Sequence, residues 1–258
     1  MVGTKNFLAS IVLALTVNLC AADLSCNTFN PENTAIIIDF HDVVTNSWSL
    51  KHGVHAARNL GLKGTLYALS RIVKGQVHNK VISKLTKKPQ RAIESFVLEG
   101  CDSATNTELD YCNVVLELIN PHTINPDGLA LLKELKAKGY DLYGCSNLGK
   151  KSYKYMRKNY PEAFEHFTYF RYSGGKNGDQ KKSEPSVYRD LLTKIDAKKP
   201  SEKKYEQFVF VDDKQSNLEI AQRVFEAEKR PLLGVLCKSS SGLRAQFEKA
   251  GILAPQLD

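Results

Sequence analysis

From residue 120 onward, apolar stretches typical of buried strands alternate with stretches that have the residue spacing of amphipathic helices. Strands are expected at 140–145, 169–172, 208–211 and 232–236, and helices at 126–138, 150–159, 185–195, 215–228 and 242–250. Strands that are apolar throughout and separated by helices predict a parallel sheet with helices on both faces. An earlier run of the same kind, 35–38, adds a strand. The fold class is therefore α/β, with a Rossmann-like parallel sheet.

Two of the apolar runs stop abruptly at carboxylates. Asp39 follows the run 35–38, and Asp212 and Asp213 follow the run 208–211. An acid at the end of a buried strand is costly to bury unless it has partners, so these acids are expected to serve chemistry. The carboxyl ends of parallel strands meet at one edge of the sheet, which also brings Ser146 to this place, after the strand 140–145.

The stretch from Trp48 to about Leu118 lacks the alternation of strands and helices. It contains helix-like segments at 54–60, 66–72, 77–85, 91–98 and 108–118. We therefore divide the mature chain into a core domain, residues 23–47 and 120–258, and an all-helical cap domain, residues 48–119. Because the insertion leaves the sheet just after Asp39, we expect the cap to cover the strand ends.

The first residues have the composition of a secretory signal peptide. Lys5 precedes an apolar run from Phe7 to Leu19, and small residues follow at Ala21 and Ala22. The run has thirteen residues, whereas a membrane-spanning helix needs ~20. We expect cleavage after residue 22, export to the periplasm or the medium, and no stable membrane span afterwards. A retained signal anchor, or lipidation of one of the first cysteines, is the alternative.

The net charge of +8 comes from lysines in short scattered clusters. This pattern indicates a solvated surface rather than a nucleic-acid site. Of the six cysteines, Cys145 and Cys237 follow strand-like runs and are expected to be buried. Cys101 and Cys112 flank a polar stretch, and they either form a disulfide in an oxidising compartment or stay reduced. The sequence does not fix the oligomeric state.

Asp39, Ser146, Lys182 and the pair Asp212–Asp213 occur in an order that resembles the haloacid dehalogenase superfamily, in its phosphatase branch, over residues 34–253. The segments 143–147 (YGCSN) and 210–213 (FVDD) carry this resemblance. The segment 182–188 (KSEPSVY) is similar to the family's Lys-Pro-x-Pro-x-x-Tyr element, with serine in place of the first proline. The resemblance implies a Rossmann-like core with a helical cap.

The resemblance also implies a Mg²⁺ site. Asp39, Asp212 and Asp213 would be its ligands, together with the backbone carbonyl of His41. Carboxylates facing a phosphate repel it, and a unit-charge pair at ~4 Å costs about 4 kcal/mol at an effective dielectric of 20. A divalent cation and the ammonium of Lys182 would cancel this repulsion.

The activity implied by the family is hydrolysis of a small phosphorylated substrate. Asp39 would attack phosphorus and form an aspartyl-phosphate. Ser146, Asn147 and Lys182 would bind the phosphoryl group, and water would complete the cycle.

The chain departs from the family at His41, where phosphatases of the family carry an aspartate that acts as general acid and base. Losing that group costs ~10²- to 10⁴-fold in rate when nothing replaces it. His41 is a proton shuttle, a sign of altered chemistry, or a decayed catalytic position; the neighbouring Asp42 is expected to point elsewhere. The alternatives to a phosphatase are therefore a catalytically inactive binding protein and a dehalogenase, which needs no Mg²⁺.

Overall fold

The computed structural model describes residues 29–46, 50–77, 81, 116, 123–173, 180–199, 204–238 and 242–255. Its elements, in chain order, are β1 (Thr34–Ile38), α1 (Leu50–Val77), α2 (Pro126–Ala137), β2 (Asp141–Cys145), α3 (Lys150–Asn159), α4 (Pro161–Phe164), β3 (Phe167–Arg171), α5 (Pro185–Lys198), β4 (Gln207–Asp212), α6 (Gln215–Ala227), β5 (Leu232–Leu236) and α7 (Leu243–Lys249). The predicted signal peptide, Cys101, Cys112 and most of the predicted cap helices after residue 77 lie outside the described residues.

The strands form one five-stranded sheet in the order β3-β2-β1-β4-β5, and every neighbouring pair is parallel. The predicted parallel α/β fold is therefore confirmed. β1 lies at the centre, where Ile38 is in register with Gly144 of β2 and with Val211 of β4. This pairing brings the carboxyl ends of the three central strands to one edge of the sheet.

Alternate residues of β1 pack on opposite faces of the sheet. Ile36 and Ile38 contact a core formed with α2, α3 and α7, whereas Ala35 and Ile37 contact a core formed with α5 and α6. All five residues of β1 are buried, which is why the strand reads as an unbroken apolar run. Burying one isoleucine side chain stabilises the fold by about 1.5–3 kcal/mol, so β1 is fixed firmly beneath the residue that follows it.

The predicted elements of the core agree with the structure within about two residues, except that α5 ends at Lys198, three residues beyond its predicted end. The short helix α4 was not predicted. It spans four residues, which is too few to show the periodicity by which a helix is recognised in a sequence.

The first part of the insertion is helical over α1, and the regular helix geometry breaks at Gly61. Gly61 has φ 65° and ψ 175°, a conformation that glycine adopts without steric cost. The break lies between the two helical segments predicted at 54–60 and 66–72, so the structure agrees with that division. No helix among the described residues is long and apolar enough to cross a membrane.

The two chain segments that join the core to the insertion pair with each other. Thr45 and Ile124 form an isolated antiparallel bridge, and the Asn46 backbone N–H donates to the Thr123 carbonyl over 2.9 Å. Asn125 accepts the N–H groups of the first turn of α2 through Oδ1 and donates through Nδ2 to Asn46 Oδ1 over 2.8 Å. One side chain therefore caps a helix and ties both linkers together.

Phe40, which follows Asp39, is held in a cluster of aromatic rings. Its ring centroid lies 4.6 Å from that of Phe164 and 5.6 Å from that of Phe170. Phe170 in turn covers the backbone of Gly144, where a Cβ atom would overlap its ring. The aromatic cluster therefore connects β2 and β3 to the loop that carries Asp39.

Candidate active site

Three strands of the central sheet end in polar side chains at the same edge. Asp39 is the first residue after β1, Ser146 the first after β2, and Asp212 the last of β4. The Asp39 backbone N–H donates to the Val211 carbonyl over 2.9 Å, which extends the pairing of β1 and β4 to the site. The predicted convergence of these residues at one edge follows from this register.

Lys182 lies between the two buried acids. Its Nζ atom is 2.5 Å from Asp39 Oδ2 and 2.6 Å from Asp212 Oδ2. The side chain is only 1% exposed, and lysine is almost never buried unless its charge is paired. The two carboxylates raise the pKa of this ammonium above its usual range and outweigh its loss of hydration. Lys182 is therefore a permanent cation at the strand ends.

Asp39 lies in an environment that disfavours its negative charge. Burial raises its pKa to about 6, because removal from water disfavours the carboxylate; Lys182 acts in the opposite direction and Asp212 adds to the increase. One of its oxygens, Oδ1, accepts the Phe40 backbone N–H over 2.7 Å. Ionisation of Asp39 therefore costs free energy, and a further cation would stabilise its carboxylate.

Asp212 accepts more hydrogen bonds than Asp39. In addition to Lys182, its Oδ1 atom accepts the Lys214 backbone N–H over 2.9 Å and Nδ2 of Asn217 over 2.8 Å. The Asn217 carbonyl in turn accepts the hydroxyl of Tyr188 over 3.1 Å. Asn217 was not among the predicted site residues. Its position in the first turn of α6, five residues after Asp212, was the available signal.

Asp213 differs from its neighbour. Its Oδ1 atom is buried and has no hydrogen-bond partner among the described residues, while Oδ2 lies 3.4 Å from Lys214 Nζ. Asp39, Asp212 and Asp213 each offer a carboxylate oxygen, and these atoms lie within 4.8 Å of one another. When ionised, the three acids outnumber the two ammonium groups beside them, those of Lys182 and the exposed Lys214, and leave an excess of negative charge. Oxygen donors in such a group suit Mg²⁺.

Ser146 and Asn147 follow β2 directly. Ser146 is fully buried, and its Oγ atom accepts a long hydrogen bond of 3.4 Å from the Leu148 backbone N–H. Asn147 accepts the Lys182 backbone N–H through Oδ1 over 2.8 Å. Asn147 therefore contacts the polypeptide at the site, in addition to the substrate contact that the sequence predicted for it.

His41 and Asp42 lie in the turn after Asp39 and are half-buried. Asp42 has φ 59°, in the left-handed region that few residues other than glycine adopt, and its N–H donates to Thr45 Oγ1 over 3.3 Å. In the part of the chain that the structure describes, Asp42 does not belong to the three-acid cluster. The catalytic role of His41 stays a prediction.

Cys145 and Cys237 are buried and unoxidised, as the sequence predicts. Burial raises the pKa of the Cys145 thiol to about 11. A thiol with so high a pKa is a poor nucleophile, so this cysteine serves packing in the core.

No model of a known protein family matches the sequence, and no curated protein matches it significantly. Solved structures do match. A dehalogenase is 16% identical with a TM-score of 0.52, and the match covers 86% of this chain and 98% of that one. The L-2-haloacid dehalogenase of Xanthobacter autotrophicus, with chloropropionic acid covalently bound, is 16% identical with a TM-score of 0.51, and the match covers 86% of this chain and 84% of that one.

A HAD-family enzyme from Bacteroides thetaiotaomicron, in complex with magnesium and inorganic phosphate, is 17% identical with a TM-score of 0.48, and the match covers 78% of this chain and 93% of that one. At such identities the two dehalogenase structures establish the fold of this chain. It is the α/β fold of the haloacid dehalogenase type.

Proposed function

We propose that this chain is a Mg²⁺-dependent hydrolase of the haloacid dehalogenase type that removes the phosphoryl group from a small phosphorylated substrate. The observation that carries the proposal is the cluster of Asp39, Asp212 and Asp213, whose oxygens lie within 4.8 Å of one another, with the buried ammonium of Lys182 paired to the first two. A buried oxygen without a hydrogen-bond partner among the described residues, Asp213 Oδ1, fits a missing cation.

The two acids at the end of β4 differ in their hydrogen bonds. Asp212 accepts three donors, so it also holds Lys182 in place. Asp213 has an open oxygen, and we assign it to the metal together with Asp39, Asp212 and the His41 carbonyl. When bound, Mg²⁺ would neutralise the carboxylates and the developing charge on the phosphoryl oxygens.

The first half of the reaction is a transfer to Asp39. A carboxylate oxygen of Asp39 forms a bond to phosphorus while the bond from phosphorus to the ester oxygen breaks. The departing oxygen takes a proton from the imidazolium of His41. Lys182 stabilises the equatorial phosphoryl oxygens, and the hydroxyl of Ser146 donates to one of them.

The second half regenerates the carboxylate. A water molecule loses a proton to the now neutral His41 and attacks phosphorus, and the bond to the Asp39 oxygen breaks. Inorganic phosphate leaves, and His41 has regained the proton that it gave up. Imidazole titrates near neutral pH, so it supports this exchange, although it is larger than the aspartate that the resemblance leads one to expect.

The substrate class and the compartment rest on the sequence. The inserted segment lies in the chain directly after the loop of Asp39, which supports a role in selecting a small substrate. The apolar run from Phe7 to Leu19 supports export by a signal peptide, with the mature protein in the periplasm or the medium. We expect no nucleic-acid partner.

The second candidate function is that of a catalytically inactive binding protein. The observation that favours it is His41 in place of the expected acid. A metal-independent dehalogenase is a third candidate, since the two matched dehalogenases share this fold. That reaction makes no use of a metal, and it would leave the open oxygen of Asp213 unexplained.

The test is a hydrolysis assay of purified protein on p-nitrophenyl phosphate and a panel of small phosphate monoesters, with Mg²⁺ or with EDTA. We expect Mg²⁺-dependent phosphate release. Asp39→Asn is expected to lower it by at least ~10⁴-fold, because the nucleophile is lost. His41→Asp is expected to raise it by ~10²-fold, because it restores a general acid and base.

Chloride release from 2-chloropropionate in EDTA, without phosphate release, would replace the phosphatase with the dehalogenase. Inertness of both the wild type and His41→Asp, with Mg²⁺ binding intact by calorimetry, would favour the binding protein. Asp141→Asn serves as a control, since it also removes a carboxylate from a strand but at the far edge of the sheet.

A further inference from the structure

The backbone of Lys182 is held by a side chain from another part of the chain. Its N–H donates to Asn147 Oδ1 over 2.8 Å, and 35 residues separate the two positions. We propose that Asn147 is a positioning residue, whose carbonyl oxygen fixes Lys182 so that the ammonium lies between Asp39 and Asp212. This inference deepens the proposed function and rests on it for its catalytic consequence.

A lysine ammonium is at the end of a flexible four-carbon chain, so its position depends on where the backbone is anchored. Lys182 lies in the turn before α5 and belongs to no strand or helix. Among the described residues, the backbone N–H of Lys182 donates to Asn147 alone. The contact also joins the loop of Ser146 to the lysine. One hydrogen bond therefore fixes the relative position of the Ser146 hydroxyl and the Lys182 ammonium, the two groups proposed to contact the phosphoryl oxygens.

The flanking contacts fasten the same segment from the side of β3. The Gln180 carbonyl accepts the hydroxyl of Ser173 over 2.8 Å, and the Ser173 N–H donates to the Leu148 carbonyl over 2.7 Å. The loops after β2 and β3 are thus bound to each other and to the segment that precedes Lys182. The hydrogen bond between Lys182 and Asn147 is the contact of this set that lies next to the proposed reacting groups.

The two ends of the Asn147 amide have separable tasks. A backbone N–H can only donate, so the atom that it meets must be the oxygen of the amide, and the NH₂ group lies on the other side. A contact with substrate would use the NH₂ group as a donor. Positioning uses the oxygen. Aspartate at this site keeps an acceptor oxygen and loses the donor, whereas alanine loses both.

The experiment measures the position of Lys182 without using catalysis. Full-length wild type, Asn147→Ala and Asn147→Asp are treated briefly with an amine-acetylating reagent, and the labelling of each lysine is measured by peptide mass spectrometry. Lys182 is 1% exposed and paired, so it is protected in the wild type. Asn33→Ala is the matched control, because Asn33 also joins distant segments, by a 3.0 Å bond to Glu206 at the opposite edge of the sheet.

We expect the labelling of Lys182, relative to the exposed Lys150, to rise roughly five- to tenfold in Asn147→Ala, as for the loss of one hydrogen bond. It is expected to stay within about twofold of wild type in Asn147→Asp and Asn33→Ala. Unchanged protection in the alanine variant would overturn the proposal. An equal rise at Lys199 would do the same, because it would show general loosening.

The same variants are then assayed on p-nitrophenyl phosphate. Positioning predicts that kcat falls in the order wild type, Asn147→Asp, Asn147→Ala, with KM less affected. The reverse order of the two variants would assign the residue to substrate contact, because a carboxylate repels phosphate more than a methyl group does. If the wild type releases no phosphate, the proposed function fails, and the labelling still decides the role of Asn147.

Discussion

Polar groups collect at both edges of the sheet, but the two clusters are built differently. At the amino-terminal edge, the hydroxyl of Tyr205 donates to Asp141 Oδ2 over 2.5 Å and lies 3.0 Å from the hydroxyl of Tyr143. Lys199 and Lys136 approach the same carboxylate to 3.8 and 3.7 Å. This acid therefore has donors and cations around it.

At the carboxyl edge the balance is reversed, because Asp39 and Asp212 share Lys182, Asp213 is paired with the exposed Lys214, and a buried oxygen of Asp213 is left open among the described residues. A polar network whose charges and hydrogen bonds are all satisfied needs nothing more than the protein itself. A network with excess charge needs a ligand to neutralise it, and without the ligand it lowers the stability of the fold. The comparison indicates that the first cluster is structural and the second is a site.

The largest expected effect that tests this difference is on Lys182. Lys182→Met leaves Asp39 and Asp212 buried without their cation, and removing one partner of a buried pair costs roughly 3–5 kcal/mol. Lys199→Met, at the other edge, is expected to cost at most about 1 kcal/mol, since that cation is only one of several partners. Urea unfolding in EDTA measures both values. Equal losses would remove the distinction between the clusters.

An effect of intermediate size is expected from pH. The pKa of Asp39 in the folded protein, about 6, lies above its ordinary value of 3.8, so the folded state binds this proton more tightly than the unfolded state does. The contribution of this group to the free energy of unfolding is therefore largest below about pH 4 and is lost as the pH rises through 6.

Asp39→Asn has no carboxyl group to ionise, so it does not lose stability in this way. Its free energy of unfolding, relative to that of the wild type, should increase by up to about 3 kcal/mol between pH 4 and pH 7 without metal. Unfolding in EDTA at several pH values measures this difference. Saturating Mg²⁺ should reverse the order at pH 7, because the ion binds the ionised wild type. A difference that does not vary with pH would contradict the account.

The smallest effect is expected at the satisfied cluster. Tyr205→Phe removes the donor to Asp141 and the contact with Tyr143, and we expect a loss of about 1–2 kcal/mol in the free energy of unfolding. Phosphatase activity and Mg²⁺ affinity should stay within about twofold of wild type. A large loss of activity at normal stability would show that the two edges are coupled.

The parts of the fold that the sequence predicted are those with local signals. Pro126 and Pro185 mark helix starts, and apolar runs mark the buried strands, because these signals depend on a few neighbouring residues. Asp39, Lys182 and Asp212 were placed together by their order along a parallel sheet. The roles assigned to them stay predictions.

The remainder depends on distant contacts. Nothing near Asn147 shows that it accepts a hydrogen bond from residue 182, which lies 35 residues further along the chain. Such contacts arise only when separate loops meet.

The bare backbone at Gly144 limits how this chain can vary. Any side chain there would displace the ring of Phe170, and that ring touches Phe40, the immediate neighbour of Asp39. A methyl group at position 144 would thus act through Phe170 and Phe40 on the position of Asp39. Engineering of this scaffold should treat position 144 as fixed.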